Sequence, residues 1–135
     1  LRGVIAHEPP LLALLADDPA AAPMLDEVGR RIRAVVERIA AGDHAGAAEQ
    51  FVETVALGPG TWVQLTRELQ QTFIENAPTF LDEARDPEQL VLDPARLTTF
   101  PRPALLTMGD QSPPLFAPVI ARKFLGRLLW SRITS

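Results

Sequence analysis

The sequence predicts an α/β fold that is mostly helical, with two parallel strands, a large helical insertion between them and a helix after the second strand. Two observations lead to this fold class. Two short apolar runs, at about residues 1–7 and 103–109, are each followed by an acid and then by a Pro-Pro pair. The long segment between the runs shows helical periodicity. Because a parallel connection needs a crossover of a dozen or more residues, the two runs are expected to be sheet neighbours.

The second run, residues 104–108, carries the stronger strand signal. Pro103 precedes it and Gly109 follows it, and an apolar run of this length between such residues indicates a strand buried on both faces. Gly109 allows a sharp turn, and the prolines at 113–114 can open a helix. In open parallel sheets, chemistry collects just beyond the carboxyl ends of strands, which here is the segment 110–112.

The first run, residues 1–6, is predicted to be a second buried strand. Val4 and Ile5 favour a pleated position, and the prolines at 9–10 prevent the strand from continuing. A short apolar helical turn is expected over residues 11–16.

The insertion is predicted to contain amphipathic helices. The first covers about residues 24–41, where apolar side chains recur at three- and four-residue intervals. Gly42 should end it, and Asp43 is placed to cap the second helix, which stops before residues 58–60. A third helix starts near residue 62 and is expected to break at Pro78, with a short helix after it.

The last helix is predicted over residues 115–129.

Two parallel strands cannot cover both faces of a sheet or satisfy its edges, so we expect the rest of the sheet to lie outside this chain. The strand-like start at Leu1 also suggests a cut end. The alternative is a helical bundle in which both apolar runs pack as irregular segments.

The composition excludes several classes of partner and cofactor. A net charge of −4 argues against a nucleic-acid partner and against an anionic membrane surface, and no apolar run is long enough to span a membrane. The chain has no cysteine, and its two histidines, His7 and His44, are far apart, so no metal site is expected. No glycine-rich phosphate loop follows a strand. We therefore expect a soluble, cytoplasmic protein without cofactors.

Three segments together resemble the C-terminal part of the α/β-hydrolase family. Residues 1–10 (LRGVIAHEPP) look like the family's sixth strand and its exit, and residues 97–114 (LTTFPRPALLTMGDQSPP) look like the approach to the seventh strand and its acid turn. The helices between them look like the lid inserted after the sixth strand. The resemblance implies one partial α/β-hydrolase domain over residues 1–135, with a helical lid at about 20–86.

The resemblance also implies that this chain is catalytically incomplete. Family members use a serine on a G-x-S-x-G elbow, then an acid, then a histidine, in that order along the chain. No serine here has that setting, and no histidine follows Asp110. The nucleophile would fall before Leu1 and the histidine after Ser135, so the chain would supply the acid, the lid and part of the pocket.

Glu8 and Asp110 are the two candidates for the catalytic acid. Many relatives carry this acid in a G-x-x-D pattern, and counting from Gly109 puts Ser112 at that position. Other relatives carry it after the sixth strand, where Glu8 stands. Asp110 could instead bond its own turn, as aspartates commonly do, so Glu8 is placed slightly ahead. Either carboxylate could also have only a structural role, such as capping a helical turn.

Four further residues are candidates for substrate binding. His7 could line the pocket, although a partly buried histidine with a backbone partner is the alternative. Asn76, Thr79 and Phe80 lie at the expected break between lid helices, where a lid often faces the substrate. The alternative for these three is ordinary helix termination at Pro78.

These features predict the C-terminal part of a serine-type hydrolase that acts on a small ester or similar carbonyl substrate. The resemblance does not choose among esterase, lactonase, haloperoxidase-like and carbon–carbon bond hydrolase activities. The alternative from another class is an autonomous, non-catalytic helical domain that binds a partner through its apolar stripes. The uncovered strand edges also predict that the isolated chain self-associates.

Overall fold

The computed structural model describes residues 2–87, 91–93, 95–96, 99–110 and 112–121, and the backbone of residues 128–133. The chain forms two compact units. One, the sheet unit, comprises Leu1–Ala22 and Leu90–Ser135, and the other, the helical unit, comprises Pro23–Gln89. The helical unit covers nearly the same residues as the predicted lid. In the described part of the chain, none of the helices has both the length and the apolar character required to span a membrane.

The sheet unit contains a parallel sheet of three strands: β1 (Val4–His7), β2 (Ala104–Gly109) and β3 (Leu128–Ile133), in the order β1-β2-β3. The predicted parallel pairing of the first two strands is confirmed, with residue 4 opposite residue 104 and residue 7 opposite residue 107. Since β3 pairs with the other edge of β2, the two-strand prediction is wrong by one strand.

The predicted helix over residues 115–129 is also wrong in its extent. The helix in this region, α4, covers Phe116–Ala121, and β3 begins at residue 128. Residues 122–127 of the predicted helix lie outside the described residues. A short apolar run such as Leu128-Leu-Trp130 does not distinguish helix from strand by periodicity. Residues 128–133 form a strand because the free edge of β2 offers backbone hydrogen-bond partners along its whole length.

The central strand β2 forms the core of the sheet unit. Its consecutive residues 106, 107 and 108 are all buried, which confirms the prediction of a strand covered on both faces. Leu106 and Met108 pack with Ile120 of α4. The helical turn Leu12–Leu15 lies within the predicted range 11–16 and buries two leucines.

The prediction that the first strand is buried is wrong. Val4 is 39% exposed and Ile5 is 74% exposed. Within the described residues, β1 pairs only with β2, so its outer edge and much of its surface have no covering element. Apolar β-branched residues therefore indicated strand structure correctly but did not report burial.

The helical unit contains three main helices: α1 (Ala22–Ala40), α2 (His44–Phe51) and α3 (Arg67–Arg85). A π-helical turn, Val52–Ala56, extends α2, and a 3-10 turn, Trp62–Gln64, precedes α3. The core of this unit combines one residue pair from α1 with apolar residues of α2 and α3. Its buried members are Val35, Ile39, Ala47 and Ala77.

The predicted break at Pro78 does not occur, because α3 runs from Arg67 to Arg85 through this proline. Proline removes one backbone donor and usually kinks or ends a helix. Here Pro78 lies on the exposed side of α3, while Ala77 beside it is buried in the core. Packing of the opposite face therefore maintains the helix. The start of α3 is also later than predicted, since Thr66 caps it by accepting a hydrogen bond from Leu69 N–H at 3.3 Å.

Asp43 caps α2 as predicted. Its carboxylate accepts a hydrogen bond from Gly46 N–H at 3.0 Å and another from Arg38 Nε at 2.8 Å. These contacts favour the charged form. The Gly46 hydrogen bond, followed by the Arg38 guanidinium, lowers the pKa of Asp43 below its ordinary value of 3.8.

We expect Asp43→Asn to reduce the pH dependence of stability. Because the pKa of Asp43 is lowered in the folded chain, its stabilising effect is present above pH 3.8 and is lost as the pH falls through the lowered pKa. Asparagine can still cap the helix but does not titrate. The difference in melting temperature between the wild type and Asp43→Asn should be largest at pH 7 and should shrink toward pH 2. A difference that is constant over this range would contradict the prediction.

We also expect the isolated chain to associate through the exposed surface of β1, and Ile5→Lys to reduce this association. An uncovered apolar strand edge pairs readily with other chains, and lysine at an edge prevents such pairing. Val91→Lys is the matched control, because Val91 is also 74% exposed but lies outside the strands. Sedimentation velocity should show fewer oligomers for Ile5→Lys than for Val91→Lys. Equal behaviour of the two variants would exclude β1 as the associating surface.

Candidate functional site

The carboxyl ends of β1 and β2 bring together residues that are one hundred positions apart. His7, the last residue of β1, lies opposite Thr107 in the register. The next residue, Glu8, donates its backbone N–H to the carbonyl oxygen of Thr107 at 2.8 Å. This hydrogen bond extends the pairing by one step and places Glu8 beside the turn that follows β2.

Glu8 has an unusual backbone conformation. Its φ angle is +48°, and it is the only non-glycine residue of the described chain with a positive φ. A side chain in this region costs about 1–3 kcal/mol unless the surroundings compensate for it, and such residues cluster at functional sites. The hydrogen bond from Glu8 N–H to the carbonyl oxygen of Thr107 holds the backbone of Glu8 beside the end of β2 in this conformation.

The turn after β2 holds the Glu8 carboxylate. The Ser112 hydroxyl donates a hydrogen bond to Glu8 Oε1, and Gly109 N–H approaches the same oxygen at 3.5 Å. Both contacts involve Oε1, so Oε2 is outside them. The side chain of Glu8 is 28% exposed. A carboxylate has several acceptor sites, so one that is held through a single oxygen can still accept a hydrogen bond from a further donor.

His7 joins this cluster through a buried hydroxyl. Its Nδ1 lies 3.0 Å from Thr107 Oγ1, and Thr107 is the buried polar residue at the centre of β2. The other ring nitrogen, Nε2, lies 3.6 Å from Glu8 Oε1, which is longer than a hydrogen bond. The partner of the His7 ring is therefore the side chain of Thr107, and not a backbone group, which was the alternative. We call His7, Glu8, Thr107 and Ser112 the acid cluster.

Asp110 lies at the same edge of the sheet, directly after β2. It is partly buried and has an interaction partner of its own. Both predicted acids thus follow the carboxyl ends of adjacent strands. The residues that sequence reasoning missed are Thr107 and Ser112, the partners of His7 and Glu8. Ser112 carried a usable signal, because it occupies the last position of the G-x-x-D pattern.

Asn76, Thr79 and Phe80 line a cavity of about 450 Å³ inside the helical unit. They share one stretch of α3, whose other lining residues include Phe73 and Glu83. These three candidates therefore lie in a different unit from the acid cluster. The structure groups the six predicted site residues into two sets, one in each unit.

Aromatic rings form the wall of this cavity. The ring centroid of Phe51 lies 5.1 Å from that of Phe80 and 6.4 Å from that of Phe73. Phe51 and Phe73 pack against each other and also line the cavity. Their helical spacing could not reveal this, because a core stripe and a cavity wall have the same periodicity.

Among the described residues, no group of three or more histidine, cysteine, aspartate or glutamate side chains could hold a metal ion. No protein-family model, curated protein or solved structure matches this chain.

We expect the hydrogen bond between Ser112 and Glu8 to appear as a coupling energy in a double-mutant cycle. Hydrogen bonds to charged groups contribute about 1.5–3 kcal/mol, and partial exposure of Glu8 should reduce this to about 1–2 kcal/mol. Urea unfolding of the wild type, Ser112→Ala, Glu8→Ala and the double variant gives the coupling. Thr99→Ala is the control, because the Thr99 hydroxyl bonds Arg96 O and should not couple to Glu8. Coupling near zero for Ser112 would contradict the geometry.

Proposed function

We propose that this chain is the C-terminal part of a serine-type α/β-hydrolase that cleaves an ester or a similar carbonyl compound. The observation that carries the proposal is Glu8, whose backbone is strained and whose carboxylate is held at the turn after the next parallel strand. Strain of this kind, at the carboxyl edge of a parallel sheet, is typical of functional residues.

The position of Ser112 favours Glu8 over Asp110 as the acid of the triad. In relatives with the G-x-x-D pattern, the catalytic carboxylate belongs to the last residue of the pattern. In this chain that residue is Ser112. The Glu8 carboxylate is hydrogen-bonded to this serine hydroxyl, so it lies next to the place where those relatives carry their acid. The longer glutamate side chain reaches this place from the neighbouring strand. A catalytic acid at the end of β1 therefore places its negative charge close to where an acid after β2 would place it.

In this proposal, Glu8 orients a histidine that lies outside the 135 residues. Ser112 and Gly109 hold Oε1, and Oε2 accepts the N–H of the imidazole. The acid thereby selects the imidazole tautomer that can take the proton of a serine nucleophile, and it stabilises the imidazolium that forms. His7, fixed by Thr107, keeps the edge of the acid cluster ordered.

The second candidate function is binding of a protein partner by the helical unit. Val63 is 80% exposed and Leu57 is 55% exposed, and both lie in the connection between α2 and α3. Exposed apolar residues of this size support an interaction surface when they lie close together. The gene sequence on either side separates the two candidates. A G-x-S-x-G segment before residue 1 and a histidine soon after residue 135 would favour the hydrolase.

We expect Glu8→Gln to reduce kcat/KM of the longer hydrolase by a factor of about 10⁴, the loss found when an amide replaces the triad acid of a serine protease. Adding Ser112→Asp to Glu8→Gln should restore part of the activity, because the new carboxylate lies where the Glu8 carboxylate was held. Hydrolysis of p-nitrophenyl acetate provides the measurement.

Asp110→Asn is the control and should retain most of the activity. A large loss for Asp110→Asn together with near-normal turnover for Glu8→Gln would reverse the assignment. Absence of ester hydrolysis in the longer protein itself would favour the partner-binding candidate.

A further inference from the structure

The cavity of the helical unit has an apolar floor, and its exposed rim carries polar groups beside Leu69. Val35, Ile39, Ala47 and Ala77 at its floor are all at least 95% buried, and the phenylalanines form its wall. The polar lining groups come from α3, where positions 72, 76, 79 and 83 follow each other at intervals of three and four. Residues at this spacing share one face of a helix, so the rim groups lie along one side of the opening.

The charges of the lining favour an uncharged ligand. Among the described residues that line the cavity, none is lysine, arginine or histidine, and Glu83 is the only ionised side chain. An anion would lack a counter-charge and would meet the Glu83 carboxylate at the rim. A cation would lose its hydration against an aliphatic floor, where burial of an unpaired charge is costly. Glu83 is exposed, so its attraction for such a cation is weakened by solvent.

The volume limits the size of the ligand. A cavity of about 150 Å³ lined by apolar side chains binds one benzene molecule. The cavity here, about 450 Å³, is three times as large. By proportion, it accommodates on the order of 15–18 non-hydrogen atoms, which is within the range of ordinary small-molecule pockets.

We propose that the helical unit is a binding site for an uncharged, largely apolar small molecule with an aromatic body and one hydrogen-bonding group. The aromatic body packs against Phe51, Phe73 and Phe80, and the polar group faces Asn76 and Thr79 at the rim. Asn76 offers both a donor and an acceptor, and the Thr79 hydroxyl offers the same, so a neutral amine, hydroxyl or carbonyl group is satisfied there. This site is proposed whether or not the chain belongs to a hydrolase.

The experiment is a fluorescence titration of the 135-residue chain with two probes that share one scaffold. N-phenyl-1-naphthylamine is neutral, whereas 8-anilinonaphthalene-1-sulfonate carries an additional anionic group. We expect one equivalent of the neutral probe to bind, and the sulfonate to bind at least tenfold more weakly. Glu83→Gln should reduce the difference in affinity between the two probes, since it removes the negative charge from the rim.

Thr79→Phe tests the location of the site. Thr79 is exposed at the mouth of the cavity, so a larger side chain there should obstruct entry and weaken binding of the neutral probe at least tenfold. Gln71→Phe is the matched control, because Gln71 is an exposed polar residue of the same helix outside the cavity lining. It should leave the affinity unchanged, as should Ile5→Lys in the sheet unit.

Several results would overturn the proposal. One is an equal loss of affinity for the neutral probe in Thr79→Phe and Gln71→Phe. Another is tighter binding of the sulfonate than of the neutral probe. A third is loss of binding of the neutral probe in Ile5→Lys but in no other variant. A dimer in sedimentation velocity that dissociates in Thr79→Phe would show that a second copy of the chain occupies the cavity. Circular dichroism checks that each variant is folded. Asn76→Phe, at a second exposed position of the mouth, provides the same test if Thr79→Phe does not fold.

Discussion

The parallel pairing of β1 with β2 is the interaction on which the acid cluster depends. It places His7 opposite Thr107 across one hundred residues, and it makes both strands end at the same edge of the sheet. Only in this register does Glu8 meet the turn that contains Ser112. A slip by one residue would turn each side chain to the opposite face and would separate the carboxylate from its hydrogen-bond donor. The intervening helical unit adds little to the cost of this closure, since loop entropy grows slowly with length.

Short-range hydrogen bonds fix a helix end and a loop of the helical unit. Asp43 caps α2 through Gly46, and Glu53 accepts hydrogen bonds from the backbone of Gly60 and of Trp62, which ties the loop between α2 and α3 to the π-helical turn. The core of the helical unit combines Val35, Ile39 and two alanines with partly buried residues that include Phe51 and Phe80. The same side chains that form this core also line the cavity.

Much of the candidate site could be predicted from local sequence. Glu8 and Asp110 follow apolar runs with clear boundaries, and their place at one edge of a parallel sheet follows from strand direction alone. The sequence could not show that Glu8 adopts a positive φ or that Ser112 holds its carboxylate. Both features depend on the relative position of two strand ends, and no local pattern encodes that position. The sequence indicated Phe80 but not that Phe51 and Phe73 line the same cavity, because core and cavity residues have the same helical spacing.

The sequence by itself determined the elements whose signals are local: the amphipathic period of α1, the Asp43 cap and the apolar strand β2 bounded by proline and glycine. Only the tertiary structure decided the rest. It placed a strand at residues 128–133 along the second edge of β2, carried α3 through Pro78 and left the surface of β1 exposed. The physical reason is that backbone hydrogen bonding and burial are satisfied by partners distant in sequence, so a short apolar run or a single proline acquires its structure from the surface against which it packs.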